Sequence, residues 1–132
     1  MGKRVEVADT NIWVRYLTGD NEDQLKTIRQ AFMETKEGKR LMIVKPLIVA
    51  ETCFVLESSY KMTREKIGTA FEVVLSQKWL KVIERKILLI AIRDYMNGIH
   101  FADAYISAYA KAEGAEIFSF DKKLMKSFLG SK

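Results

Sequence analysis

Apolar and polar positions alternate at the start of the chain and then change period. Val5, Val7 and Ala8 form a β-favouring run within residues 4–9 that stops on Asp9-Thr10-Asn11, and apolar residues resume at once as Ile12, Trp13 and Val14. The resumed pattern predicts a helical stretch ending near Gly19, then a second helix from Glu22 to about Lys36 stopped by Gly38. "RLMIVKP" predicts a short buried strand closed by Pro46, and "LIVAETCFVLESSY" returns to helical spacing. Thr63, followed by Glu65 and Lys66, predicts the capped start of a further helix. "WLKVIER" predicts a short strand, and residues 86–97 and 101–113 two helices separated by Gly98, the second stopping at Gly114. "AEIFSF" predicts a last strand, and Asp121 opens a short terminal helix.

Strands separated by helices predict the α/β class: a three-layer α/β/α sandwich around a central, mainly parallel sheet. The chain, 132 residues long, is expected to form a single domain over residues 1–132, with no repeat or Pro/Gly-rich linker to divide it. Ligands of such sheets sit beyond the carboxyl ends of the strands. Asp9 after the first strand and Asp121 after the last therefore fall in the favoured region.

Two more acids stand out by position. Leu47, Ile48, Glu51, Phe54, Val55 and Ser58 share one face of the helix after Pro46, which places Glu51 in an apolar stripe. On the helix from Phe101, Asp103 aligns with Ile99, Ile106 and Ala110, while the many alanines of that helix predict close packing against the sheet. An unpaired buried carboxylate costs several kcal/mol or stays protonated. Four gathered acids, Asp9, Glu51, Asp103 and Asp121, would repel unless a cation compensated, and a hard divalent ion with oxygen ligands is the natural solution. Such a site polarises a phosphodiester and generates a hydroxide nucleophile. The competing reading makes Asp9, Asp103 and Asp121 ordinary helix N-caps.

Charge adds a little to this picture. Twenty-two Lys and Arg against 17 Asp and Glu leave a net +5, which favours phosphate-bearing partners once a site for phosphate chemistry is in view. Arg15, Lys45, Lys122 and Lys123 are candidates for holding an RNA backbone. The lone Cys53 fits a reducing, cytoplasmic setting and reads as inert packing. No apolar run approaches the ~20 residues that span a bilayer, and Glu6 and Asp9 interrupt any leader-like apolar core, so neither a membrane anchor nor a signal peptide is expected. His100 has no Ser or Cys partner for a triad. Trp13 and Tyr16 fit either the core or a partner groove.

"DTNIWVRYLTGDN", "PLIVAETCFVLESSYKMTREKI" and "HFADAYISAYAKAEGAEIFSFDKKL" together resemble the blocks of a PIN domain, specifically a VapC-type toxin of bacterial and archaeal toxin–antitoxin pairs. The resemblance runs from Val5 to Leu124. It implies a PIN-like fold and a Mg²⁺- or Mn²⁺-dependent endoribonuclease, with the family's acidic quartet on Asp9, Glu51, Asp103 and Asp121 as catalytic residues and metal ligands. The family's supporting polar positions fall on Thr10, Asn11 and Ser119, the last where Thr is more usual. Some members carry a further acid after the fourth; Lys122 and Lys123 stand there instead. The resemblance also implies an RNA substrate, a homodimer, and a VapB-like antitoxin whose tail enters the acidic groove.

Three other readings compete. A receiver-like signalling domain shares the layering and a Mg²⁺ pocket, but pairs acids at the first strand end, where this chain has Asp9-Thr10-Asn11. A phosphatase of the haloacid dehalogenase type wants Asp-x-Asp, and Asn11 replaces the second acid. A PIN-like scaffold that binds RNA or protein without cutting is the alternative of a different class.

Overall fold

The computed structural model describes residues 3–130. The chain runs β1 (Arg4–Val7), α1 (Thr10–Thr18), α2 (Glu22–Lys36), β2 (Arg40–Val44), α3 (Pro46–Ser58), α4 (Arg64–Leu75), β3 (Lys81–Val82), α5 (Arg85–Met96), α6 (Phe101–Ala112) and α7 (Lys122–Gly130). The three strands form one parallel sheet in the order β1-β2-β3, with Val5 opposite Leu41 and Ile43 opposite Lys81. Each crossover is a pair of helices, as parallel pairing demands. This is the expected mixed α/β class, consistent with a three-layer α/β/α architecture.

Local chemistry accounts for the element boundaries. The Asn21 side chain accepts from the backbone N–H of Gln24 at 3.0 Å to start α2, and the Thr63 hydroxyl accepts from Lys66 at 3.2 Å to start α4. Gly19, at φ 65°, ends α1 with its N–H donated to the Arg15 carbonyl at 2.8 Å. Pro46 stands in the first turn of α3, where its missing N–H leaves no bond unmade. Arg85 closes the far end of α4: its guanidinium donates to the carbonyls of Leu75, of Gln77 at 2.9 Å and of Leu80 at 2.7 Å. Two of those carbonyls lie beyond the helix, so one side chain fixes the approach to β3 as well.

The core joins the sheet to the helices through Trp13, Phe32, Val44, Val49, Leu56, Phe71 and Leu88. α4, α5 and α6 pack in succession, and α6 lies chiefly against α5 rather than closing onto the sheet as its alanines predicted. Tyr95, fully buried on α5, donates its hydroxyl to Glu57 of α3 at 2.8 Å. Arg64 pairs with the same carboxylate at 3.0 Å and donates to the Gly98 carbonyl at 2.8 Å. Among the described residues no helix is long and apolar enough to cross a membrane.

Close approach between α4 and α5 depends on Gly68. A Cβ there would stand 2.1 Å from Met96 Cγ and 2.7 Å from its sulfur. In an open helix Gly→Ala gains about 1 kcal/mol. Here Gly68→Ala is expected to lose about 1–2 kcal/mol through overpacking, measurable by urea denaturation. Met96→Ala in the same chain should recover part of that loss; a Gly68→Ala variant more stable than the parent would contradict this packing.

Two further expectations need correction. "AEIFSF" does not join the sheet: residues 115–120 form no strand, which leaves β1 as an edge with Val5 and Val7 more than half exposed. The alternation survives without the ladder. Ile117 and Ser119 are half-buried while Phe118 and Phe120 are 96% and 95% exposed, and residues 115–118 lie along Tyr105, Ile106 and Tyr109 of α6. The Ala115 N–H is already taken by the Ala110 carbonyl at 2.7 Å, so the segment leaves α6 through a helix-end bond.

The second correction concerns α3. Its buried face is Val49, Thr52, Cys53 and Leu56, whereas Leu47, Glu51 and Phe54 are exposed. A helix that is apolar nearly all round gives periodicity no purchase on which face goes inward.

Candidate functional site

The carboxyl end of β1 delivers Asp9 in an extended conformation, φ −80° and ψ 177°, at the entrance to α1. Its Oδ1 accepts from the backbone N–H of Ile12 at 3.2 Å, so Asp9 does cap α1. That bond occupies one carboxylate oxygen only, and the residue stays exposed. Asp9 and Asn11 share a cavity of about 390 Å³ with Arg15, Asp23 and Gln24. Arg15 is tied down there: it donates to Gln24 at 2.9 Å and Tyr60 at 3.0 Å and pairs with Asp20 at 3.3 Å. The Tyr60 hydroxyl first, then Thr18 and Arg15, hold the Asp20 carboxyl below its ordinary range. Arg15 is therefore engaged in protein contacts rather than offered to a nucleic acid.

Thr10, the first residue of α1, donates its hydroxyl to Glu51 Oε2 at 3.0 Å and so links the first acidic block to the second. Glu51 belongs to a solvent-facing site and not to the buried stripe expected for it. This link makes Thr10 a positioning residue for the Glu51 carboxylate.

The other two acids lie along α6 and α7. Asp103 is half-buried in the first turn of α6; the N-cap position is His100, so the capping reading of Asp103 fails. Asp103 shares a cavity of about 320 Å³ with Arg64, His100 and Lys123. Asp121 accepts at Oδ1 from the N–H of Leu124 at 3.1 Å and caps α7, while its own N–H donates to the Ser119 hydroxyl at 2.9 Å. Ser119 thus sets the backbone of Asp121.

The acids therefore stand as two halves: Asp9 with the Thr10–Glu51 link, and Asp103 with the helix that Asp121 caps. Among the described residues no three His, Cys, Asp or Glu side chains gather closely enough to hold a metal ion. In donor type the four carboxylates suit a hard divalent cation. As placed here they do not make a ready cation site.

Sequence reasoning missed the company around each half. Asp23 and Gln24 enter the Asp9 cavity from the first turn of α2, and Arg64 and His100 enter the Asp103 cavity from α4 and the α6 entrance. Asp23 and Gln24 follow a capping Asn21, which fixes where the first turn of α2 points; Arg64 carried no local signal. Trp13 proves to be core, 1% exposed, and Cys53 is buried packing as expected.

A family model described as PIN domain matches residues 7–127, a span that includes all four acids. No curated protein and no solved structure matches the chain.

Proposed function

The chain belongs to the PIN domain family, whose members are typically nucleases, and from that premise we propose that it is a divalent-metal-dependent endoribonuclease, the toxin of a VapBC-type pair. The observation that carries the reading is the family match over a stretch that holds Asp9, Glu51, Asp103 and Asp121 in order. Within it, Asp9 and Asp103 are the principal ligands for Mg²⁺ or Mn²⁺, completed by Glu51 and Asp121. Thr10 orients Glu51, Ser119 orients Asp121, and Asn11 supports Asp9. Lys122 and Lys123, exposed on the first turn of α7 beside Asp121, hold RNA phosphates without reading sequence. A homodimer and a VapB-like antitoxin belong to the same proposal.

The reading requires the four carboxylates to converge on one cation. That requirement gives weight to a second reading, a PIN-like scaffold that binds RNA without cutting it, because among the described residues no three such side chains gather here. One assay separates the two. Purified protein is incubated with structured RNAs, with Mg²⁺ or Mn²⁺ and then with EDTA, beside Asp103→Asn. Cleavage that depends on the cation and is lost in the variant is the expected result. Cleavage that survives both chelation and the substitution would sink the metal–carboxylate reading, and retained RNA binding without any cleavage would favour the scaffold.

A further inference from the structure

Two phenylalanines in the segment between α6 and α7 stand almost wholly in solvent. Phe118 is 96% and Phe120 95% exposed, whereas Ile117 and Ser119 are half-buried. This period-two alternation puts both rings on one side of the chain, with centroids 6.1 Å apart and planes at 60°. A single apolar side chain on a surface needs no explanation, but neighbouring rings left this open mark an interaction face. Beside them a cavity of about 420 Å³ runs along α6, lined by Tyr105, Ile106, Tyr109 and Phe118. Tyr109 is itself exposed, so aromatic surface continues from the segment onto the helix.

Charge decides what such a face can take. Asp121 follows Phe120 directly, and Lys122, Lys123 and Lys126, all exposed, follow on α7. Glu116 opposes an anion only at the other end of the segment, on the cavity rim. Open rings that lead to a group of ammonium charges match a polymer with both bases and phosphates. A duplex hides the faces of its bases, and a single strand presents them. Aromatic side chains beside a cationic track hold single strands by stacking, without reading sequence.

We propose that Phe118 and Phe120 form a stacking platform for neighbouring bases of single-stranded RNA. The RNA backbone runs on toward Lys122 and Lys123, and so passes Asp121. The choice of RNA rests on the nuclease reading, but stacking itself requires no cleavage. The platform favours unpaired RNA over a duplex and is indifferent to base identity, because every base has a π-face.

Binding is measured in EDTA, so that no strand is cut. The probes are a labelled oligouridylate of about eight nucleotides and, in parallel, an RNA duplex, each followed by fluorescence anisotropy. Phe118→Leu and Phe120→Leu keep an apolar side chain and lose the ring. Each is expected to weaken oligouridylate binding about tenfold, the equivalent of about 1.4 kcal/mol. Duplex binding and the melting temperature should not change. Phe118→Trp keeps a π-face and should bind oligouridylate at least as tightly as the parent.

Oligouridylate affinity unchanged in both leucine variants overturns the proposal, as does an equal loss for the duplex. Leucine variants that melt earlier, or that are monomeric by light scattering where the parent is dimeric, assign the rings to apolar packing and overturn it too. Failure here is separate from failure of the nuclease reading. Ring-dependent binding without metal-dependent cleavage sinks only that reading, and cleavage indifferent to both rings sinks only the platform.

Discussion

Asp9→Asn is expected to cut RNA cleavage by about a thousandfold, the equivalent of about 4 kcal/mol of transition-state stabilisation, while leaving the melting temperature unchanged. The two halves of that expectation come from different atoms of one side chain. Capping of α1 uses a single oxygen accepting from the Ile12 N–H, and asparagine caps as well as aspartate does. Charge is what the substitution removes. Asp9→Ala removes the cap as well and should lower stability by about 1 kcal/mol besides abolishing activity. If Asp9→Asn cleaved RNA like the parent while Asp9→Ala merely melted earlier, Asp9 would be a cap and nothing more. The same pair of substitutions works at Asp121, which caps α7 through Leu124.

The second large effect is alkaline instability centred on Cys53. Burial, chiefly, pushes its thiol up from an ordinary 9.0 to about 12, with the nearby Glu57 carboxylate adding to the rise. Tyr95, whose hydroxyl bonds that same carboxylate, is likewise raised, first by burial and then by Cys53 and Glu57. The native state therefore holds the Cys53 proton more tightly than the unfolded chain does. Below pH 9 neither state loses that proton and its contribution is fully present. As pH climbs from 9 toward 12, the unfolded chain ionises first and stability falls. A group shifted this far accounts for up to about 4 kcal/mol across that window. Urea midpoints taken at intervals through it should fall steeply for the parent and less steeply for Cys53→Ala. Parallel slopes for the two proteins would show that Cys53 does not govern the alkaline limb.

What the sequence revealed and what it hid divide along a physical line. Features decided within a turn or two were legible: the caps at Asn21 and Thr63, the stop at Gly19, and the extents of α2 and β2. The acid candidates at Asp9 and Asp121 were visible because a strand end or a cap announces itself locally. The inward face of α3 was not, since an all-round apolar helix can bury any side and only its neighbours decide. "AEIFSF" carries the alternation of a strand, but a strand exists only with a partner, and partnership is a property of the whole chain. The company each acid keeps is of the same kind. Thr10 meeting Glu51 across two elements, or Asp103 sharing a cavity with Lys123, has no trace in local spacing.

The sheet's register also sets a timetable for folding. β1 meets β2 only after α1 and α2 have been threaded between them, and β2 meets β3 only after α3 and α4. Each ladder must therefore close a long loop before its first bond offsets the lost chain entropy. α5 and α6, joined through a short turn at Gly98, meet no such delay and can dock early. Sheet closure is thus the late and slow event, and substitutions at Val44 should act mainly on the folding arm that completes it.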